Sequence, residues 1–268
     1  MSALRVWVEG VGAWSPRFGD FAALGTVLDG GASPPVPARP PAATLAPNER
    51  RRAPQSVLLA IEVAGQAVAM SGRDAATLAC VFASSHGDQA ITDYMCATLA
   101  QAPAELSPTR FHNSVHNAPV GYWTMATGCH APSTAVAAQH ASFGAGLLEA
   151  TSQVRADGNA VLLVCSDIAG SGPLGELTRC SQPFGMALVL APEPGPCSLA
   201  MLDLQLLAEQ PHDPLPEPLA SWQRESPSAA GLPVLLALHR QHGRCRLALT
   251  PGLDIQIETT CRALEATA

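Results

Sequence analysis

The sequence predicts an α/β fold in which helices pack on a layered sheet of buried strands. Two uninterrupted apolar runs, 77-TLACVFAS-84 and 160-AVLLVCS-166, are typical of strands that are covered on both faces. Segments with helical spacing of apolar residues lie between them, and this alternation indicates a layered sheet with right-handed crossovers. The chain has 268 residues, 47% of them hydrophobic, which is ample for a sizeable core.

The first part of the chain predicts a strand, a proline-rich connection and a helix. Residues 4–9 alternate apolar and polar side chains, which indicates a strand that ends at the glycine turn in VEGVG. Several prolines exclude a helix or a central strand from most of the segment 30–47. The segment 54–70 has one apolar stripe and a glycine stop, as a helix does. Asp88 is expected to cap the next helix.

The later part alternates in the same way up to residue 191. Strands are predicted over 160–166 and 184–191, with the loop 169-AGSGPLGE-176 between them. The loop has the G-x-G-x-x-G spacing of a dinucleotide site. Pro173, the absence of a following helix pattern and the absence of a ribose-binding acid identify the spacing as a chance match.

The tail has a different character. Residues 192–233 are rich in proline, and three short strands are expected beyond them, over 234–240, 244–250 and 253–258, with a hairpin near Gly243. We therefore predict two parts. Residues 1–195 form the main α/β domain, and residues 196–268 form a proline-rich connection and a β extension packed on the same domain.

Composition excludes several classes of function. The net charge is −7, which argues against nucleic acid as a partner. All 15 basic residues are arginine, which excludes a Schiff-base lysine and a P-loop lysine. The 8 cysteines form no C-x-x-C pair, so neither a zinc site nor a disulfide framework is expected. No signal-peptide core and no membrane span is evident, which predicts a cytoplasmic protein. We also expect no metal and no cofactor.

A stretch without charged residues runs from Phe111 to Leu148. At the average frequency of charged residues in this chain, about five would be expected over that length. We favour burial against another chain over burial within the fold alone. Two histidines in this stretch have i, i+4 spacing, but no carboxylate or cysteine accompanies them at metal-ligand spacing. Hydrogen bonding within a buried turn is therefore the preferred interpretation of four residues: His112, Asn113, His116 and Asn117.

The segment 135-AVAAQHASFGAGLLEA-150 predicts a turn from a strand into a helix. Acyl-transfer enzymes place a nucleophilic cysteine or serine at such a turn, because the helix N-terminus stabilises a thiolate and free N–H groups bind an oxyanion. Here Gln139 and His140 occupy the turn instead. A histidine could act as a nucleophile, but a helix N-terminus disfavours the imidazolium that this chemistry requires. We call this turn from strand to helix the elbow. The preferred interpretation is that the elbow is vestigial and has no catalytic residue.

The series 107-SPTRFHNSVHNAPVGYWTMATGCHAPSTAVAAQHASFGAGLLEA-150 resembles the centre of a β-ketoacyl synthase of the thiolase superfamily. The Ser-Pro pair, two glycines and Pro132 fall at matching positions without a gap, and in that register His140 takes the nucleophile's place. A slip of one residue puts Gln139 there. The segments 6-VWVEGVGAWSP-16, 160-AVLLVCSD-167 and 183-PFGMALVLAP-192 resemble other strands of the synthase. The resemblance implies a thiolase-like fold, specifically the N-terminal half of a ketoacyl synthase.

The departures from the family pattern imply a particular type of member. Synthases use a cysteine and two histidines from H-G-T and G-F-G-G loops, and this chain has none of these motifs. The pattern resembles chain-length factors, which are nucleophile-free partners of an active synthase. The segments 48-NERRRAPQSVLLAIEVAGQA-67, FHNSVHNAPVGYW and ASFGAGLLEA resemble the short factors linked to aryl polyene pathways. The implied role is to wall the acyl tunnel of a β-ketoacyl-[acyl carrier protein] synthase heterodimer in fatty acid or polyketide biosynthesis.

The resemblance also assigns positions to the partner interface. Arg110, Phe111 and Ser114 would reach toward the partner's acyl pocket. Trp123 is a further candidate for the residue that ends growth of the acyl chain. Alternatively, Phe111 is an ordinary core residue. One strand would pair across the dimer: Ser133, Thr134, Ala135, Val136 and Ala137. The series Arg50–Arg52 would attract an acyl carrier protein or simply form a solvated cluster at a helix start. Two other functions stay open, an acyl-transfer or thioesterase enzyme that uses His140 and a structural scaffold for a synthase.

Overall fold

The computed structural model describes residues 4–212 and 214–261, and it confirms the α/β prediction. Residues 1–3, Asp213 and residues 262–268, which belong to the two predicted parts, lie outside the described residues. The strands are β1 Leu4–Trp14, β2 Ala79–Ala83, β3 Ser133–Val136, β4 Val161–Asp167, β5 Phe184–Ala191, β6 Ala200–Ala208, β7 His242–Thr250 and β8 Leu253–Cys261. The helices are α1 Phe21–Leu28, α2 Pro47–Arg52, α3 Gln55–Ser71, α4 Gln89–Gln101, α5 Pro108–His112, α6 Ala118–Thr127, α7 Ser142–Asp157, α8 Gly172–Thr178, α9 Leu219–Glu225 and α10 Leu232–His239.

The described strands form one mixed sheet with the order β3-β2-β4-β5-β1-β6-β8-β7. Strand β2 runs parallel to β3 and β4, and the remaining pairs are antiparallel. The predicted boundary at residue 195 falls between β5 and β6, inside this continuous sheet. No helix in the described part of the chain is long and apolar enough to cross a bilayer.

Helices cover both faces of the sheet, so the strands are buried on two sides. Along β4, Leu162 and Val164 belong to the apolar cluster that contains α3, whereas Leu163 and Cys165 belong to the cluster that contains α7 and α10. Successive side chains of a strand point to opposite faces, so a strand between two helical layers must be apolar throughout. This explains the uninterrupted apolar runs.

Strand β1 continues past the glycines at which its end was predicted. Gly10 and Gly12 lie under α3, where an added Cβ would overlap the carbonyl oxygens of Ala67 and Val63. The two glycines therefore let the helix approach the strand closely, and they do not form a turn. The prediction of a strand end was wrong because glycine in a strand can mark close backbone approach as well as a break.

The C-terminal region departs most from the predictions. The segment 234–240, predicted as a strand, belongs to helix α10, and the hairpin joins β7 to β8 instead of lying near Gly243. Pro233 is placed in the first helical turn, where its missing N–H costs nothing. The helix buries apolar residues on most of its surface, so its pattern lacks the periodicity that identifies a helix. Strand β6 lies in the segment 192–233, which was predicted as a connection.

Candidate functional site

Three polar segments meet where neighbouring strands of the sheet have their carboxyl ends, and we call this end of the strands the site edge. Ser84, Ser85 and His86 follow β2, the turn at Gln139 follows β3, and Asp167 is the last residue of β4. Because β2 is parallel to both neighbours, the carboxyl ends of these three strands lie side by side. This edge is where α/β folds place their binding and catalytic groups.

The predicted elbow is present. Gln139 has a φ of +50°, an unfavourable conformation for a residue with a side chain, and one short turn separates it from α7. Two hydroxyl groups hold this conformation by donating to the carbonyl oxygen of Gln139, Ser142 Oγ at 2.7 Å and Ser85 Oγ at 2.6 Å. Ser142 Oγ also accepts from the N–H of Ala138 at 2.9 Å. The side chains of Gln139 and His140 are exposed.

A buried carboxylate organises the base of the elbow. Asp167 is 2% exposed, and its Oδ1 accepts from Ser84 Oγ at 2.8 Å and from the backbone N–H groups of Ser85 at 2.9 Å and His86 at 3.2 Å. Its Oδ2 accepts from Ser228 Oγ at 2.6 Å. Four donors therefore compensate the buried charge, and they fix the loop after β2 against the chain after α9. The carboxylate is occupied by these donors and does not bond to an imidazole ring.

His86 is the second imidazole at this edge. Burial lowers the pKa of His86; the nearby Asp167 opposes this effect, whereas His140 adds to it. The Nε2 atom of His86 is buried and has no hydrogen-bond partner among the described residues. A lowered pKa keeps the ring neutral at pH 7. The elbow thus presents an exposed histidine beside a neutral, partly buried one.

An activated nucleophile is not found among the described residues of this edge. Burial raises the pKa values of Cys80 and Cys180 to about 12, and it raises the pKa of Cys165 as well, so these three thiols are protonated at neutral pH. The hydroxyl groups of Ser85 and Ser142 donate to a backbone carbonyl and not to a base. The arrangement can bind a polar group, but it does not resemble a nucleophile paired with a general base.

The charge-free stretch is only partly buried in its own fold. Phe111, Val115 and Met125 are 57%, 50% and 65% exposed, so the interpretation of Phe111 as an ordinary core residue is wrong. Trp123, by contrast, is 1% exposed and packs in the core beside α3, so its side chain does not line a surface that a partner could contact. The sequence around Trp123 is apolar, so it does not indicate which face of the helix is buried.

Two other predicted residues of this region have local partners. The guanidinium of Arg110 lies 3.9 Å from the centre of the Tyr94 ring, and Ser114 Oγ donates to the carbonyl oxygen of Phe111 at 2.8 Å. Arg110 and Arg52 also line a common open cavity of about 530 Å³. No ion pair involves either guanidinium within the described chain.

The predicted pairing strand forms one edge of the sheet. Strand β3 pairs with β2 on one side, and its other side is unpaired within the described residues. Ser133, Ala135 and the following Ala137 are exposed, whereas Thr134 and Val136 are half-buried. None of these residues is charged, so this edge lacks the charged side chains that oppose pairing with another strand.

The two histidines of the charge-free stretch have different surroundings. His116 Nε2 lies 2.9 Å from the carbonyl oxygen of Ser84, and Asn113 is buried, with its Oδ1 accepting from Tyr122 at 3.3 Å. His112 and Asn117 are exposed, so the prediction of a buried turn was wrong for them. No group of three or more potential metal ligands occurs in residues 4–212 and 214–261.

Two smaller predictions also need correction. Arg50–Arg52 precede the helix α3, as predicted, but they also form the last turn of α2, a helix that was not expected. Positive charge at the end of α2 is favoured by its helix dipole. The short helix α8 begins at Gly172, inside the segment 169–176 that was predicted as a loop. Gly170 packs against Gly175 and the side chain of Gln89, so these glycines serve close packing.

Sequence analysis missed His86, Asp167 and Ser228 as members of the site. One signal was available, because Ser84–His86 and Asp167 each follow an apolar run directly. Parallel strands bring such residues together at one edge, but the sequence does not state which strands are neighbours. Ser228 lies in a region for which the predicted elements were wrong.

Comparisons with known proteins agree with this fold. The family model described as the beta-ketoacyl synthase N-terminal domain matches residues 30–250. The solved structure of the ketosynthase ApeO in complex with its chain length factor ApeC, from Xenorhabdus doucetiae, is similar at 21% identity and a TM-score of 0.71, covering 94% of this chain and 98% of that chain. The ishigamide ketosynthase/chain length factor is similar at 14% identity and a TM-score of 0.71, covering 97% and 99%.

A third similar structure is AntDE:AntF, a type II polyketide synthase acyl-carrier protein in complex with its ketosynthase bound to the hexaketide. Its identity is 13% and its TM-score 0.73, with 98% of this chain and 100% of that chain covered. No curated protein sequence matches the chain. The ketosynthase-like fold predicted from the motifs is confirmed.

Proposed function

The chain belongs to the β-ketoacyl synthase family, and from that premise we propose that it is a non-catalytic, chain-length-factor-like subunit of a β-ketoacyl-[acyl carrier protein] synthase heterodimer. The partner would carry out the decarboxylative condensation. This chain would complete the dimer, line part of the acyl tunnel and limit product length in fatty acid or polyketide biosynthesis. Aryl polyenes are the product class that we propose, because the motifs of the charge-free stretch resemble the factors of those pathways.

One observation carries the proposal. The elbow keeps the strand, the turn with positive φ and the following helix. In the register of the motif resemblance, His140, or Gln139 after a slip of one residue, takes the place of the family's nucleophile. The hydroxyl groups nearby hold the turn instead of attacking a substrate. A subunit that pairs with a synthase needs the fold of a synthase for assembly, but it does not need a nucleophile.

The exposed apolar surface supports the heterodimer. Phe111, Val115 and Met125 would be costly to leave in water, and the unpaired β3 edge offers backbone groups to a strand of the partner. The cavity shared by Arg52 and Arg110 is also lined by Asp88, whose carboxylate accepts from Ser56 Oγ and from the N–H of Ile91. The two exposed guanidinium groups form no ion pair within the described chain, which suits an acidic carrier protein that approaches the complex.

Reconstitution with a complete synthase tests the proposal. We expect the synthase and this chain to co-purify as a 1:1 complex that extends carrier-bound acyl groups, and we expect cysteine-to-alanine substitution in the synthase to abolish extension. The synthase from the adjacent gene is the first partner to try. A well-folded monomer of this chain that ignores the synthase would contradict the proposal.

One observation favours an enzyme as the second candidate. A neutral His86 lies beside His140, and a neutral imidazole can accept a proton. An acyl-transfer or thioesterase activity would then belong to this chain alone. Thioester hydrolysis by the isolated chain, lost on substitution of His140, would favour this candidate over the subunit.

A further inference from the structure

A groove of about 570 Å³ lies on the opposite end of the sheet from β3, between α10, residues 210–211 and 214–215, and strand β7. None of the elbow residues lines it. Its lining combines apolar and cationic side chains: Pro211, Pro214, Leu215, Leu236, Arg240 and Arg246. The volume is in the range of small-molecule sites, and apolar walls with a few polar groups are typical of such sites.

Among the described residues, Arg246 is held in place by neutral side chains. Its Nε donates to Gln256 Oε1 at 3.2 Å, and its Nη1 donates to Gln210 Oε1 at 3.1 Å. Both acceptors are neutral amides, and no described carboxylate forms an ion pair with Arg246. The two amides fix the orientation of the guanidinium, but its charge stays available. A planar guanidinium fixed in this way can bind a carboxylate or phosphate through two parallel hydrogen bonds.

Two further arginines add to the positive charge of the groove. Arg240 ends α10, is exposed and has no ion pair with any described residue. Arg244 pairs with Glu258 at 3.5 Å, but both side chains are more than half exposed, so the pair neutralises little of the local field. In a chain with a net charge of −7, this concentration of guanidinium groups is a local exception.

The apolar wall determines which kind of anion fits. Pro211, Pro214 and Leu215 form one side of the groove, and Leu236 lies on the α10 side. A small inorganic anion would leave this surface in water, whereas a molecule with an apolar chain would cover it. We propose that the groove binds an anionic amphiphile, a carboxylate or phosphate head on Arg246 and Arg240 with an unbranched apolar chain against the proline-rich wall. This inference does not depend on the proposed function of the elbow.

Calorimetric titration of the full chain with octanoate, below its micelle concentration, tests the proposal. We expect saturable binding at one site that weakens with added salt, because the head group is held by charge. Octanol, which has the chain without the charge, and inorganic phosphate, which has a charge without the chain, should each bind at least about tenfold more weakly. Octyl phosphate should bind as octanoate does.

Two variants localise the site. Arg246→Gln should weaken octanoate binding at least about tenfold, whereas Arg155→Gln, at an exposed arginine on α7, should leave it unchanged. Gln256→Glu places a carboxylate within reach of Arg246 and should also weaken binding, while the melting temperature is kept or raised. This second variant remains informative if Arg246→Gln does not fold.

Several outcomes would overturn the proposal. Equal affinity for octanol would make the site a nonspecific apolar surface, and equal affinity for phosphate would make the apolar wall irrelevant. Unchanged octanoate binding by Gln256→Glu would place the ligand elsewhere. Binding of a glutamate-rich peptide without binding of octanoate would assign the groove to an acidic protein segment instead.

Discussion

The motif register predicts that His140 takes the place of the family's nucleophile, and its surroundings do not support catalysis. Its neighbour Gln139 carries the strained backbone of the turn, and the hydroxyl groups of Ser85 and Ser142 relieve that strain. The nearby carboxylate, Asp167, is saturated by four donors and does not orient an imidazole. These hydrogen bonds stabilise the conformation of the elbow and do not depend on a catalytic role.

The first prediction follows from this arrangement. His140→Ala and Gln139→Ala should each leave condensation by the reconstituted complex within several-fold of wild type, because neither side chain supports the turn. Steady-state extension of carrier-bound acyl groups measures the effect. A loss of about a hundredfold on His140→Ala, with the complex intact, is the size of a general-base contribution and would favour the enzyme.

Asp167 carries the second prediction. Asp167→Asn keeps the shape of the side chain, but it removes the charge and turns an amide N–H₂ toward groups that are themselves donors. We expect unfolding free energy to fall by about 2 to 4 kcal/mol. Urea denaturation of the full chain measures this loss. Asp157→Asn, at the exposed end of α7, is the matched control and should change stability by less than about 0.5 kcal/mol.

At the residue scale, the sequence predicts single positions better than their partners. The empty elbow at Gln139 and His140 follows from local pattern and motif alone. The bonds that link Asp167 to Ser84 and Ser228 join residues 83 and 61 positions apart. Such pairs depend on the order of strands in the sheet, which periodicity does not encode. The buried position of Trp123 depends in the same way on α3, a helix that is distant in sequence.

Elements with clear periodicity or unbroken apolar runs were predicted well. The strand 184–191 and the caps of α3 and α4 coincide with the structure because each depends on local chemistry, such as the Asp88 side chain that accepts from the N–H of Ile91. Helix α10 was mistaken for a strand because it is apolar on most sides. Strand β6 was missed because prolines flank it on both sides. The whole segment 192–233 was therefore predicted as a connection.

Assembly gives the third prediction, at the scale of the β3 edge. Ala137→Asp introduces a charge directly after β3, which would be buried without a partner if this edge pairs across the dimer. The cost of several kcal/mol should prevent co-purification with the synthase. Ala32→Asp, at an exposed position in the proline-rich connection, should leave co-purification unchanged. Intact co-purification of Ala137→Asp would exclude pairing at this edge.

At the scale of the whole molecule, the two ends of the sheet differ in character. Strand β3 carries no charged side chain and belongs to the charge-free stretch, whereas the β7 end carries Arg244 and Arg246. Charged side chains on an edge strand oppose association with another sheet. The distribution favours the β3 end as the place where a second chain completes the fold and leaves the β7 end accessible.

Length control is the last prediction and depends on the whole assembly. Phe111 is 57% exposed in the single chain, so in the proposed heterodimer it is available to face the partner's acyl tunnel. A side chain that ends a tunnel stops extension because two further carbons would overlap it, at a cost of about 1–3 kcal/mol. Phe111→Ala should therefore shift products toward chains longer by one or two cycles, while total turnover is kept. Leu199→Ala, at an exposed leucine outside the charge-free stretch, should not change the products. Mass spectrometry of carrier-bound products compares the complexes; an unchanged distribution with Phe111→Ala would favour a scaffold over a tunnel wall.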